Sequence, residues 1–193
     1  DYAFGHSLEK DTGDVVKAAG GTVVGAVRAP LNASDFSSFL LQAQNSKAQI
    51  LGLANAGGDT INSIKAANEF GVTKTMKLAG LLLFITDIHS VGLPAAQGLY
   101  LTTPWYWNQN AQSRAWAERY FKEMHAMPTF VQAGDYSAAL SYLKAVKAAG
   151  TTDGTKVMDE LRKMKVNDMF MHDGFMRPSG LMIHDMYLEQ VKT

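Results

Sequence analysis

The sequence predicts an α/β fold built on a doubly wound parallel sheet with helices on both faces. Two observations carry this. Short apolar or β-branched runs begin at Thr22, Ala48, Leu78 and Gly98, and a helix-forming stretch separates each from the next. Such alternation requires right-handed crossovers, which lay strands side by side in parallel. Residues 78–84 are also apolar almost throughout, like a strand buried on both faces of such a sheet.

Element by element, Leu8, Val15, Val16 and Ala19 recur at helical spacing, and Gly20 and Gly21 stop that helix. Residues 22–28 read as a strand. A loop through Pro30 leads to Ser34, an N-cap for a helix with Phe36, Phe39, Leu40 and Ala43 inward. Residues 48–54 form the next strand, and 55–59 a tight turn into a helix carrying Ile61, Ile64 and Ala67, closed at Gly71. Strands at 78–84 and 98–103 follow.

Past residue 103 the rhythm changes to three helices in succession. Residues 110–127 put Trp116, Tyr120, Met124 and Met127 on one face. Residues 129–149 align Tyr136, Ala139, Leu140, Leu143 and Val146, and 153–164 turn Val157, Leu161 and Met164 inward. Residues 168–171 and 180–189 read as strands around a turn at 177–180. Three consecutive helices do not continue an alternating sheet, so the chain is expected to leave the first unit and return. A doubly wound unit ordinarily begins with a strand, and this chain opens on a turn. A strand is therefore expected to be missing upstream, which makes the chain a fragment.

Composition narrows function. The 193 residues carry 18 Lys+Arg against 18 Asp+Glu, with no basic run, which argues against nucleic acid as partner. Absence of cysteine excludes disulfides, thiolate catalysis and cysteine-ligated metals. The five histidines are scattered without a close pair, so no metal is expected. No stretch approaches the roughly 20 apolar residues of a membrane span, and no signal peptide is visible. Signatures of a serine-hydrolase elbow, a P-loop and a dinucleotide fingerprint are all missing, and no cofactor is expected.

The remaining signal lies at the carboxyl ends of the strands, where open parallel sheets bind ligands. Tyr2 and Phe4 open the chain, Asn55 to Gly58 follow the second strand, Phe84 to Asp87 the third, and Trp105 and Tyr106 the fourth. Two readings stand for several of these. Gly57 and Gly58 either meet an anion or allow a tight turn. Asp87 either receives a ligand donor or caps a short helix. Trp105, Tyr106 and Trp107 either wall a ligand or pack as core.

The segments DYAFGHSLE, GTVVGAVRAPLNASDFSSFLLQAQNSKAQILGLANAGGDTINSIKAANEFG and QGLYLTTPWYW, followed by PTFVQAGDYSAALSYLKAVKAAG and FMRPSGLMIHDMYLEQVK, resemble one family in order and over nearly the whole chain. It is the periplasmic solute-binding proteins of the branched-chain amino-acid type, receptors of ABC importers. The resemblance implies the type I periplasmic-binding fold: two lobes joined by three crossings, with a small-molecule ligand in the cleft and a membrane permease as partner. It implies that 1–127 make most of the second lobe, 128–176 helices of the first, and 177–193 the hinge return and last strand. The amino-terminal lobe would be absent here, and the exposed faces are expected to drive self-association.

The family's contacts carry over to Tyr2, with Phe4 close by, and to Ala54, Asn55, Ala56 and Gly57. Amino-acid-binding members place an acid after the next strand to hold the ammonium group. Here residues 80–85 are wholly apolar, and an ammonium without counter-charge is costly there. The expected ligand is an organic acid with an apolar or aromatic body, packed on Tyr2, Phe84 and residues 105–107. Asp87 reverses this if its loop folds into the cleft. The competing readings are an amide-type sensor of the same fold acting on a regulatory partner, and an α/β enzyme using His6, Ser7 or Asp87.

Overall fold

The computed structural model of the chain describes residues 1–192. It divides into two compact units, residues 1–102 with the stretch from 188 onward, and residues 103–187. The lobe boundaries expected from the sequence were 127/128 and 176/177.

In the first unit, α1 (Ala3–Ala18) leads through a segment without helix or strand to α2 (Ser37–Asn45), β1 (Ile50–Leu53), α3 (Gly58–Glu69), a 3-10 turn (Val72–Lys74), β2 (Lys77–Gly80), α4 (Ile85–Val91), α5 (Leu93–Ala96) and β3 (Tyr100–Thr103). The sheet order is β1-β2-β3-β6, where β6 is Tyr187–Gln190. β1, β2 and β3 are parallel, with Leu53 opposite Gly80 and Gly80 opposite Leu101. The α/β alternation is therefore real. Helix α3 supplies the deepest core residues, Ile64 and Ala67, both wholly buried, and Leu40 of α2 and Leu78 of β2 join the same cluster.

The structure corrects two strands here. Residues 22–28 are exposed and form no strand, because no strand lies beside them among the described residues. Helix α1, expected to bury an apolar stripe, has no buried residue, and Val15 faces solvent. Residues 78–84 do not continue as one strand. Leu83 folds back over Gly80, where a Cβ would meet its side chain at 2.9 Å, and β2 stops there. The helix expected to be capped by Ser34 starts instead after Phe36, with Asp35 Oδ1 accepting from the Ser37 N–H at 2.8 Å.

The second unit holds α6 (Ala111–Met124), α7 (Phe130–Ala149), α8 (Gly154–Lys163), and a hairpin of β4 (Phe175–Met176) antiparallel to β5 (Met182–Ile183). The three helices begin at side-chain caps, Asn110, Thr129 and Asp153. Two faces differ from expectation. Helix α6 buries Trp116, but Met124 and Met127 are exposed. Helix α7 turns inward its small stripe, Ala133, Ser137, Ser141 and Ala145, and leaves Tyr136 and Leu143 outside. Polar satisfaction helps to fix that choice, since Ser137 Oγ donates to Asp168 Oδ2 at 2.6 Å. Residues 168–171 are a turn rather than a strand: Asp168 Oδ1 accepts from the N–H groups of Phe170 and Met171. Residues 180–189 split between β5 and β6, which belong to different sheets.

Candidate functional site

Because β1 and β2 are parallel and in register at their ends, the turn after Leu53 and the loop after Gly80 leave the sheet together. The Leu81 N–H still donates to Leu53 O at 3.2 Å, which ties the two exits. Helix α1 reaches the same place: a Cβ on Gly5 would lie 3.2 Å from Ala54 O. The first turn of α1, the β1–α3 turn and the β2–α4 loop thus converge within the first unit.

Tyr2 and Phe4 are 38% and 36% exposed, with ring centroids 5.8 Å apart. Ala54, Asn55, Ala56 and Gly57 are half-buried. The Asn55 amide is engaged within α3, donating to Ser63 Oγ at 3.0 Å and accepting from Thr60 Oγ1 at 2.8 Å. The Asn55 amide thus already has a partner on both its nitrogen and its oxygen. Gly57, with φ 59° and ψ −130°, caps α3 in a conformation that side chains resist. That need explains the glycine without an anion.

Phe84 is half-buried and precedes α4. Asp87 settles as a cap: its Oδ2 accepts from the Phe84 N–H at 3.0 Å, and the residue is 8% exposed. Asp59, which the sequence reading did not single out, behaves alike, buried and accepting from the Asn32 N–H at 3.0 Å. The two carboxylates that follow β1 and β2 are both turned into the protein. Of the groups considered for acid–base chemistry, His6 Nε2 lies 2.7 Å from Asp1 Oδ1 on the surface, while Asp87 is committed to its cap.

Trp105 and Tyr106 belong to the second unit. Trp105 is core there, 2% exposed, edge-on to Trp116 at 5.6 Å, with Nε1–H given to Met169 O and Ser113 Oγ. Ser113 and Met169, absent from the sequence reading, are what fix it. Tyr106 is half-buried, 5.8 Å from the Trp107 ring, and its N–H donates to Gln109 Oε1. Of the ten residues named from sequence, Tyr2 and Phe4 lie at the start of α1, Ala54 to Gly57 in the β1–α3 turn that α1 approaches at Gly5, and Phe84 and Asp87 in the segment after β2, while Trp105 and Tyr106 fall in the other unit.

A family model described as periplasmic binding protein matches residues 1–193. The chain belongs to the periplasmic binding protein family. Among solved structures it is similar to a periplasmic binding protein from Burkholderia mallei, at 66% identity and a TM-score of 0.94, over 100% of this chain and 51% of that one. It is also similar to a branched-chain amino acid ABC transporter periplasmic ligand-binding protein from Burkholderia xenovorans, at 43% identity and a TM-score of 0.90, over 100% and 52%. A Rhodopseudomonas palustris ABC-transporter solute-binding protein in complex with 4-hydroxybenzoate shares the fold, at 23% identity and a TM-score of 0.87, over 100% and 54%. The chain thus spans about half the length of these relatives. The search of curated proteins gave no significant match. No helix among the described residues is long and apolar enough to cross a membrane.

Proposed function

We propose that this chain is one half of an extracytoplasmic receptor for an ABC importer, which binds between two lobes a small organic acid with an apolar or aromatic body. Lobe closure over the ligand, stabilised by its greater affinity for the closed state, presents it to the permease. The carrying observation is the state of the two carboxylates that follow β1 and β2. Asp59 and Asp87 are buried and spent on backbone N–H groups. The residues around them are aromatic and apolar, Tyr2, Phe4, Ala54, Ala56 and Phe84, and the exposed Asp1 carboxylate of the same turn is already engaged by His6 Nε2 at 2.7 Å. An ammonium group placed there loses water without gaining a counter-charge. The relative from Burkholderia xenovorans is named for branched-chain amino acids, and the fold neighbour from Rhodopseudomonas holds an aromatic acid, so both chemistries belong in the test.

The test is a thermal-shift screen on a two-lobe receptor carrying this chain as its matching half. The panel holds aromatic acids, aliphatic acids, amides and branched-chain amino acids. A ligand at one hundred times its Kd adds about 2.7 kcal/mol, a shift of several degrees. An acid without an amino group is expected to win, and Phe84→Ala to weaken it about tenfold or more. A branched-chain amino acid giving the largest shift overturns the ligand assignment.

A further inference from the structure

Charge is not spread evenly over the first unit. β1, β2 and β3 are parallel, so their sheet has one edge of strand starts and an opposite edge of strand exits. Lys47 stands just ahead of β1, Lys74 lies in the turn that leads into β2, and Lys77 is the first residue of β2. All three are exposed, and none has an ion-pair partner among the described residues. The Lys77 N–H donates to Gln49 O at 2.9 Å, and the Lys77 ammonium lies 5.6 Å from the Tyr100 ring at the start of β3. On the same edge the Asn68 amide of α3 donates to Ala95 O of α5 at 2.7 Å. Two large apolar side chains there are open to water: Phe70, at the end of α3, is 45% exposed, and Leu93, the first residue of α5, is 59% exposed. Across residues 45–50, 68–77 and 92–100 the only acid is Glu69. At the strand exits the signs reverse. Residues 29–37, 54–59 and 81–87 hold Asp35, Asp59 and Asp87 and no lysine or arginine.

We infer that the edge of strand starts is a docking face for a bilayer containing anionic phospholipid. Three features choose that occupant. The cations are lysines, with no arginine among those three stretches. Lysine is a hydrated point charge on a flexible stem, suited to headgroups that move, whereas the fixed carboxylates of a protein partner favour the guanidinium fork. Phe70 and Leu93 are single apolar side chains set among the lysines, the mixture that lies in a headgroup layer. The charge polarity also orients the unit on an anionic surface, with lysines toward it and the aspartates of the strand exits away, although the chain carries no net charge. Such contact is peripheral, since no helix among the described residues is long and apolar enough to cross a membrane. The inference stands on this surface alone and is independent of the ligand reading.

The test uses vesicles of phosphatidylcholine alone or mixed in equal amounts with phosphatidylglycerol. The chain has no cysteine, so Leu93→Cys and Ser34→Cys each place one polarity-sensitive dye, at the strand starts and near the strand exits. Mixed vesicles are expected to sediment the intact chain and to shift dye emission to the blue at position 93 only. Raising salt from about 0.05 to about 0.5 M is expected to release most of it, because screening shortens the reach of the lysines. Each lysine contributes about fivefold to such partitioning, so Lys74→Glu with Lys77→Glu is expected to weaken it at least tenfold. The neutral pair Lys74→Gln with Lys77→Gln serves if the reversed pair melts early by far-UV circular dichroism, with an expected loss of about fivefold or more. Lys122→Glu with Lys144→Glu, exposed in the second unit, alters net charge equally and is expected to leave binding unchanged. Equal binding to phosphatidylcholine alone, a shift at position 34 instead of 93, or equal losses from the two reversed pairs overturns the assignment. So does a dye at position 93 that responds to polyglutamate but not to mixed vesicles, since the occupant is then an acidic polypeptide.

Discussion

Gly57 is held at φ 59° and ψ −130°, outside the regions open to residues with a Cβ. Gly57→Ala is expected to cost about 1–3 kcal/mol, read as a lower urea midpoint for the first unit. A loss below a few tenths of a kcal/mol would mean that the turn relaxes and does not need this conformation. Asp87 allows a sharper test of the ligand reading. Asp87→Ala removes a cap and is expected to cost about 1 kcal/mol. Asp87→Asn keeps an acceptor but no charge, and is expected to leave the ranking of ligands unchanged. A selective loss of amino-acid binding in that variant would make Asp87 a counter-charge. Capping was one of the two roles legible for Asp87, because its partner Phe84 is three residues away. Asp59 was not legible as buried, since Asn32 lies 27 residues off and only the fold joins them. The same distance problem hid the hold of Ser113 and Met169 on Trp105.

At the scale of elements, the sequence announced helices and parallel strands well and their buried faces less well. Periodicity locates a helix, but the face it buries depends on the neighbour. Helix α7 packs its small residues, and α1 fully buries none of its residues. The β-branched run at 22–28 forms no strand, since a ladder needs a second strand, which the run itself does not supply. What joins α1 to that run is the Glu9–Arg28 pair, and it is titratable. Hydrogen bonding by Arg28 holds the Glu9 carboxyl below the usual glutamate range. A lowered folded-state pKa means that the contribution is fully present above the ordinary value of about 4.3, and is lost as pH falls through the folded-state value. The thermal midpoint of the first unit, read by far-UV circular dichroism, is therefore expected to fall as pH drops through that lowered value. Arg28→Gln should remove that pH dependence. Carboxyl chemical shifts of Glu9 giving an ordinary midpoint would show that the pair does not persist in solution.

The whole molecule has separate cores in its two units. The first is centred on Ile64, Ala67 and Leu78. The second unit contains one cluster around Trp105, Trp116 and Phe170 and another around Ala145, Val157 and Leu161. The division was foreshadowed by three helices in a row breaking the strand–helix rhythm, but the positions at which the chain changes unit were not, because no linker composition marks them. All three tryptophans, Trp105, Trp107 and Trp116, lie in the second unit, so indole fluorescence reports that unit alone. Ile64 is wholly buried, and Ile64→Ala removes packed methyl groups from the first core at a cost of about 2–5 kcal/mol. If each core is its own cooperative unit, the far-UV transition in denaturant splits in this variant. An early phase belongs to the first unit, while the tryptophan transition keeps its midpoint. Val157→Ala in the second unit should do the converse, moving the tryptophan transition and sparing the early phase. Matching shifts of both probes in both variants would show instead that the two cores unfold as one, and that the chain crossings at β3 and β6 carry enough free energy to couple them.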